Sequence, residues 1–217
     1  MNDSLLKRAG EFIRANAELM SPPLVPEIKL YLATEVVPLW RKTEEELNEM
    51  GVPPPYWAFA WAGGQALARY ILDHPEIVRG KSVLDFGAGS GLVALAAAKA
   101  GAAKILAADI DRFSIAAIIA NAEANGVAIA TTADDIIGSP QDFDVILVGD
   151  MCYERPLAER LMDWLKSRDA VILLGDPGRS FFPKQGLERL ALYNVAVTRD
   201  LEDREIHETG VWRLLKD

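Results

Sequence analysis

The chain has 217 residues, 50% of them hydrophobic, with a formal net charge of −9 and a sequence pI near 4.8. That length can bury a full core in one α/β domain with N-terminal additions. The acidic balance argues against a duplex nucleic-acid substrate, whose phosphates require basic surface, and suits a basic protein or a small cation.

No apolar run approaches the roughly 20 residues needed to cross a bilayer, and the N-terminus is polar and amphipathic without a cleavable hydrophobic region. The expectation is a soluble, unexported chain. The single cysteine, Cys152, excludes an intramolecular disulfide, and with only His74 and His207 there is no Cys/His zinc constellation.

In chain order, Leu5, Leu6, Ala9, Phe12, Ile13 and Leu19 fall at mostly helical spacing, so a helix is predicted over residues 4–19, with Ser4 available to cap it. Ser21-Pro22-Pro23 ends it. Residues 27–33 alternate Ile28, Leu30 and Leu32 against polar or mixed neighbours, as a short edge strand does. Residues 34–50 read as a loop and a polar helix carrying Glu44, Glu45, Glu46 and Glu49, either a solvated face or a docking surface for a basic partner. Next comes Pro53-Pro54-Pro55-Tyr56-Trp57-Ala58-Phe59-Ala60-Trp61-Ala62-Gly63-Gly64, an aromatic segment that fits core packing or a lid over a ligand. Trp61 is the preferred ligand contact there, because Gly63 and Gly64 would let backbone approach. A helix follows at residues 66–72.

The stretch Val83-Leu84-Asp85-Phe86-Gly87-Ala88-Gly89-Ser90-Gly91-Leu92 reads as strand, tight turn and helix. Glycines there allow a sharp turn and close approach of a ligand to main-chain N–H groups. The spacing is G-x-G-x-G, not the G-x-G-x-x-G of a dinucleotide site, and Leu92 stands where the third glycine would be. Asp85 at the strand end would repel a pyrophosphate and attract a cationic sulfonium amino acid. The chemistry therefore favours S-adenosylmethionine.

A helix is predicted over residues 93–100 and stopped by Gly101. The second strand, residues 104–108, ends in Asp109-Ile110-Asp111. An acid about 20 residues past the first glycines is placed to accept from ribose hydroxyls. Asp109 is preferred for that role and Asp111 for the N-cap of a helix over residues 112–125. Residues 127–131 form a third strand, after which Asp134 and Asp135 open a loop where a carboxylate would meet either an adenine amino group or water.

Residues 142–148 read as a buried fourth strand ending in Gly149-Asp150-Met151-Cys152-Tyr153. In the expected topology this end lies beside the first strand, so Asp150 and Tyr153 face the crevice outside the strands' carboxyl ends. Cys152 has no histidine nearby in sequence to activate it and is read as packing. A helix at 156–167, a strand at 170–174, a polar turn Gly175-Asp176-Pro177-Gly178-Arg179, a helix at 185–191 and two paired strands at 192–198 and 206–215 complete the chain. The connection of the last two holds Asp200, Glu202, Asp203 and Glu205, with Glu208 beyond, as a second acidic patch.

The strand-ending acid, G-x-G-x-G, the second acid after strand two and Asp-x-x-Tyr after strand four together resemble the class I, seven-β-strand S-adenosylmethionine methyltransferases. The run Pro55 to Leu67 and Gly149-Asp150-Met151-Cys152-Tyr153 are similar to the branch of protein-lysine methyltransferases acting on the β subunit of electron transfer flavoprotein. The resemblance implies an α/β Rossmann-like, doubly wound, seven-stranded and mostly parallel sheet with the last strand antiparallel. It divides the chain into an N-terminal helical and strand extension with the aromatic lid (residues 1–62) and a methyltransferase domain (residues 63–217). It further implies Asp150 and Tyr153 as the catalytic pair. Cofactor contacts would come from Trp61, Gly63, Gly64, Asp85, Gly87, Ala88, Gly89, Asp109, Ile110, Asp134 and Asp150, with S-adenosylhomocysteine as product and no metal. The partner would be that β subunit, with no nucleic acid or membrane, and the enzyme a monomer. The start Met1-Asn2-Asp3, without an Arg-rich presequence, makes the expected location cytoplasmic. Rival readings are a ribosomal-protein or other amine methyltransferase and a cofactor-binding module without turnover. Nucleic-acid amino-methyltransferases are disfavoured because Met151-Cys152 stands where they carry Pro-Pro.

Overall fold

The computed structural model describes residues 3–33, 55–196 and 206–216. Its centre is a seven-stranded sheet of β3 (Ser82–Phe86), β4 (Lys104–Ala108), β5 (Ala130–Thr132), β6 (Val145–Gly149), β7 (Val171–Asp176), β8 (Leu187–Ala196) and β9 (Ile206–Leu214). The strands lie in the order β5-β4-β3-β6-β7-β9-β8. Neighbouring pairs are parallel except those made by β9, which runs antiparallel to both β7 and β8. The last strand is therefore the one reversed.

The inner strands read as continuous apolar runs because both faces are covered. Val83, Leu147 and Leu173 point to one face, against α2 (Ala62–Asp73), α3 (Leu92–Lys99) and α4 (Arg112–Asn125). Leu84, Ile146, Val148 and Leu174 point to the other, against Leu161, Trp164 and Leu165 of α5 (Arg155–Lys166). The chain runs outward from β3 to β5 and returns to β6 on β3's other side. The switch of direction between β3 and β6 opens a crevice at their carboxyl ends.

Before this sheet come α1 (Asp3–Asn16), which packs on α4, and the pair β1 (Glu18–Met20) with β2 (Leu30–Leu32). The expected helix thus stops short of Leu19: the Asn16 side chain donates to the Phe12 carbonyl (2.8 Å) and closes the last turn. The predicted edge strand forms, but in this separate hairpin-like sheet. Its outer edge is satisfied by α4, where Asn121 Oδ1 accepts from Tyr31 N (2.7 Å) and Asn125 Oδ1 from Lys29 N (3.0 Å).

A second correction concerns residues 185–191, expected as a helix. Leu187, Leu190 and Ala191 are half-buried at helix-like spacing, yet they belong to β8. A bulge between Arg189 and Ala191 breaks the strand's alternation and imitates the helical pattern. Pairing along the length of β9 overrides the local helix propensity of Leu-Glu-Arg-Leu-Ala-Leu. The expected acidic helix with Glu44, Glu45, Glu46 and Glu49 lies outside the described residues, as do the Ser4 side chain and the acids at 200–205.

Candidate active site

Four strand ends define the site. Register places Phe86 beside Ala108 and Val148, and Gly149 beside Gly175, so the residues that follow β3, β4, β6 and β7 emerge level with one another. Among the described residues they border a cleft of about 900 Å³. A small recess beside it is lined by Asp85, Ala88, Gly64 and Trp61.

Asp150 sits at the first turn after β6 with φ 57°, a left-handed conformation that a non-glycine residue adopts at a cost and that Asp tolerates better than most. Its side chain is 9% exposed. One carboxylate oxygen, Oδ2, accepts the Gly64 N–H at 3.0 Å, and the other, Oδ1, accepts from Arg179 Nη2 (2.8 Å) and Nε (3.2 Å). Gly64 is the third residue of α2, whose own N-cap, Trp61, offers no side-chain acceptor. Asp150 therefore caps α2 from across the site, where the helix dipole favours its negative charge.

That approach explains the paired glycines. A Cβ on Gly63 would lie 2.2 Å from the Gly175 carbonyl oxygen and 2.5 Å from Asp150 Oδ2, and one on Gly175 would lie 2.1 Å from the Gly63 carbonyl. Gly63 thus lets α2 seat on the ends of β6 and β7, and it borders neither cavity. The expectation that Gly63 faces a ligand is replaced by helix-on-strand packing, and α2 begins one turn earlier than its sequence pattern indicates.

The glycine turn is also bound inward. Gly87 N and Ala88 N donate to the Ala108 carbonyl (2.9 and 3.1 Å), Gly91 N to the Ala88 carbonyl (2.7 Å), and Gly89 N to Asp109 Oδ2 (2.8 Å). These donors are used within the protein, so the turn does not present them as a phosphate cradle. Its glycines serve conformation and packing: Gly87 has φ 64°, and a Cβ there would strike Met151 Sδ at 2.2 Å. Asn121, 0% exposed, braces the turn by donating to the Ser90 carbonyl (2.8 Å).

Seven of the expected cofactor residues line the main cleft: Trp61, Gly87, Gly89, Asp109, Ile110, Asp134 and Asp150. Asp109 Oδ1 accepts from Asp111 N (2.9 Å) and Oδ2 from Gly89 N, which orients the carboxylate while leaving acceptor capacity. Burial pushes its pKa up, against the pull of those N–H groups. Asp111 takes the N-cap, accepting from Phe113 N (2.9 Å) and Ser114 N (3.2 Å). Ile110, 76% exposed, offers an apolar face beside the cleft. Asp134 is held by Thr132 Oγ1 (2.9 Å), while Asp135 is engaged by Arg160. A nucleoside fits this donor set: an oriented carboxylate for vicinal hydroxyls, apolar side chains for a base, and acids toward a cationic end.

Asp85 lies in the recess, 2% exposed, with Oδ2 accepting from Ala94 N (2.8 Å). Burial pushes its pKa up to about 7. It can serve as a partner for a cation entering the recess, a weaker attraction near neutrality than that of a permanently ionised acid.

Tyr153 stands at the rim, its ring 5.9 Å from Tyr56, which in turn lies 6.0 Å from Trp61. Burial, then the neighbouring acidic groups, push the Tyr153 phenol up to about 12, so it remains a neutral donor at pH 7. Cys152 is 1% exposed, and burial with the charges of Asp176 and Asp150 pushes its thiol up to about 12. A thiol so held is a poor nucleophile, in keeping with packing.

Two participants were not singled out from sequence. Arg179 binds Asp150 and stacks over Trp61, 5.6 Å from the ring centroid. Asp176, 3% exposed, accepts from Gly178 N and Arg179 N (both 2.7 Å) through Oδ1. Their signal was available: the Gly-Asp-Pro-Gly-Arg turn follows the strand that must neighbour β6.

The family described as ribosomal protein L11 methyltransferase (PrmA) matches residues 65–168. The electron transfer flavoprotein beta subunit lysine methyltransferase of Danio rerio is 39% identical over 213 residues, covering 93% of this chain and 81% of that protein. Its Xenopus laevis counterpart is 40% identical over 211 residues, covering 93% and 85%. A crystal structure of ribosomal protein L11 methylase from Lactobacillus delbrueckii subsp. bulgaricus shares the fold, with TM-score 0.51 at 22% identity over 70% of this chain and 77% of that one.

Proposed function

The chain belongs to the family of electron transfer flavoprotein β-subunit lysine methyltransferases, and from that premise we propose that it methylates lysine side chains of that β subunit, with S-adenosylmethionine as donor. The observation that carries the reading is the buried Asp150 carboxylate, which caps α2 at Gly64 and lines the same cleft as the oriented Asp109.

Asp109 would hold the ribose, Ile110 and the neighbouring apolar side chains the adenine, and Asp85 with the recess the amino-acid end. When bound, S-adenosylmethionine supplies an electrophilic methyl, which the amine lone pair takes as the C–S bond breaks, leaving a neutral thioether and a methylammonium whose proton passes to solvent. A free lysine has a pKa near 10.4, so presenting it neutral at pH 7 costs ~4.6 kcal/mol at about 1.36 kcal/mol per unit. Asp150 orients the amine by accepting an N–H; Tyr153 offers a neutral hydroxyl and a ring face to the amine or its methylated form. Tyr56, Trp61 and Tyr153 form an aromatic rim along which the lysine's apolar stem can pass.

The alternative of a ribosomal-protein methyltransferase draws on the match to residues 65–168, a region holding the nucleotide-binding elements β3 to α5. The relatives named for the flavoprotein subunit match across 93% of the chain, well beyond residues 65–168, and that breadth favours the β subunit. We further place the enzyme in the cytoplasm, as a monomer acting on polypeptide and not nucleic acid, with no metal requirement. The test is incubation of the purified chain and radiolabelled S-adenosylmethionine with the two-subunit flavoprotein, with and without EDTA, followed by mass spectrometry. Label on β-subunit lysines is expected; label confined to RNA, to ribosomal protein or to small amines would overturn the reading.

A further inference from the structure

We propose that Arg179 is a positioning residue that balances the charge of Asp150, so that the carboxylate aligns an incoming lysine amine without holding it protonated. The inference rests on the functional reading above, in which this site receives that amine.

The problem it answers is one of sign. A lone carboxylate within about 4–6 Å of an amine raises the amine's pKa by 1–3 units, which is the wrong direction for a nucleophile that must be neutral. Asp150 is only 9% exposed, so water screens that effect poorly. The fold places a permanent cation against the same carboxylate. Arg179 Nη2 and Nε both donate to Oδ1, on the side away from the Gly64 N–H that holds Oδ2.

The arginine is built in from both ends. Its backbone N–H is fixed by Asp176 Oδ1, the buried acid that ends β7, and β7 is in turn locked to Asp150 by the bond from Asp150 N to the Gly175 carbonyl (3.0 Å). Its guanidinium lies over the Trp61 ring, so the planar fork is held between indole and carboxylate, a geometry that lysine's rotating ammonium does not reproduce. Among the described residues, the other charged or titratable groups around this part of the cleft are Asp176 from β7, Cys152, Tyr153 and Glu154 from the segment after β6, Tyr56 from the aromatic segment and Asp109 from the end of β4, with Arg112 and Arg160 bordering the same cleft. Of the cations among them, Arg179 is the one that the structure hydrogen-bonds to Asp150.

The test compares the wild type with two neutral variants, Arg179→Met and Arg179→Gln, and the charge-retaining Arg179→Lys. Turnover on the flavoprotein β subunit is measured from pH 6 to 10, with thermal melting and S-adenosylhomocysteine affinity as checks of folding. In the neutral variants the acidic limb of kcat against pH moves up by about one unit, so that turnover falls about tenfold at pH 7 and returns to within about threefold of wild type at pH 10. Arg179→Lys keeps the wild-type limb. A second readout needs no turnover: the β subunit is titrated into the S-adenosylhomocysteine-loaded chain in two buffers of different protonation enthalpy. Proton release on binding at pH 8 is smaller in Arg179→Met or Arg179→Gln than in wild type. Neutral variants that lose rate equally at every pH, with unchanged proton release, overturn the inference and leave the functional reading standing. A wild type silent at every pH overturns both.

Discussion

Replacing Asp150 by Asn is the sharpest single perturbation of this site. Asn keeps the side-chain volume, tolerates the left-handed backbone at φ 57°, and keeps an oxygen to accept the Gly64 N–H; it loses the charge. The Asp150–Arg179 pair has side-chain exposures of 9% and 25%, so breaking it leaves a mostly desolvated guanidinium without its carboxylate. Removing one member of a fully buried pair costs about 3–5 kcal/mol; with Arg179 a quarter exposed and one oxygen retained, about 1–2 kcal/mol is the expected loss, or a melting temperature ~2–8 °C lower. Asp150→Ala adds roughly another 1–2 kcal/mol, because it places an alanine in the left-handed region and uncaps α2. Turnover of Asp150→Asn should fall about 100-fold, the scale for losing the group that aligns a nucleophile, while S-adenosylhomocysteine binds within about tenfold of wild type. Methyl incorporation, calorimetry and thermal melting on one preparation separate these effects. A stable variant that turns over within threefold of wild type would refute the assignment, and one that loses cofactor affinity by 100-fold or more would move Asp150 into the cofactor site.

Gly63→Ala and Gly64→Ala form a matched pair: the first puts a Cβ against the backbone of Gly175, costing about 1–3 kcal/mol, whereas the second meets nothing within 4 Å and should be neutral or slightly stabilising by chemical denaturation. Equal effects of the two would remove the close approach of α2 to β7 as the reason for Gly63. Asp109→Ala should weaken cofactor affinity about 10- to 100-fold by calorimetry and loosen the glycine turn through Gly89, whereas Asp111→Ala should mainly destabilise α4 by about 1 kcal/mol. The free chain should also lose stability as pH rises from 4 to above 7. Asp85 and Asp176 are both pushed up to about 7 by burial, so between their unfolded and folded pKa values the folded chain holds more protons; their contribution is full below about pH 4 and gone above 7. Glu27 and Asp135, held low by Arg69 and Arg160, act in the opposite sense, stabilising the fold as they ionise. Melting curves from pH 5 to 8 should show the decline, and Asp176→Asn should flatten it; an unchanged slope in that variant would remove Asp176 from the account.

Much of the fold could be read along the chain. Strands at 104–108 and near 82–86 and the helix at 112–125 with its Asp111 cap rest on local patterns: apolar runs buried on both faces, a capping acid, a turn of glycines; the reversal of the last strand was legible only through the family resemblance. Residues 185–191 could not be read this way, because a bulge gives a strand the spacing of a helix and only the partner strand distinguishes them. Gly63 misled for a related reason, since a glycine wanted for close packing and one wanted for a ligand leave the same mark in a sequence.

What the sequence by itself determined is the set of chemical groups near the cleft: an acid ending the first strand, another ending the second, and Asp150 with Tyr153 after the fourth. Only the tertiary structure decided what those groups are bonded to. It spent the glycine turn's N–H donors on Ala108 and Asp109, set Asp150 as the cap of a helix nearly ninety residues earlier, and brought Arg179 onto it from the neighbouring strand. Hydrogen bonds and charge pairing act through space between segments far apart in sequence, and the register of β6 against β7 places those segments together.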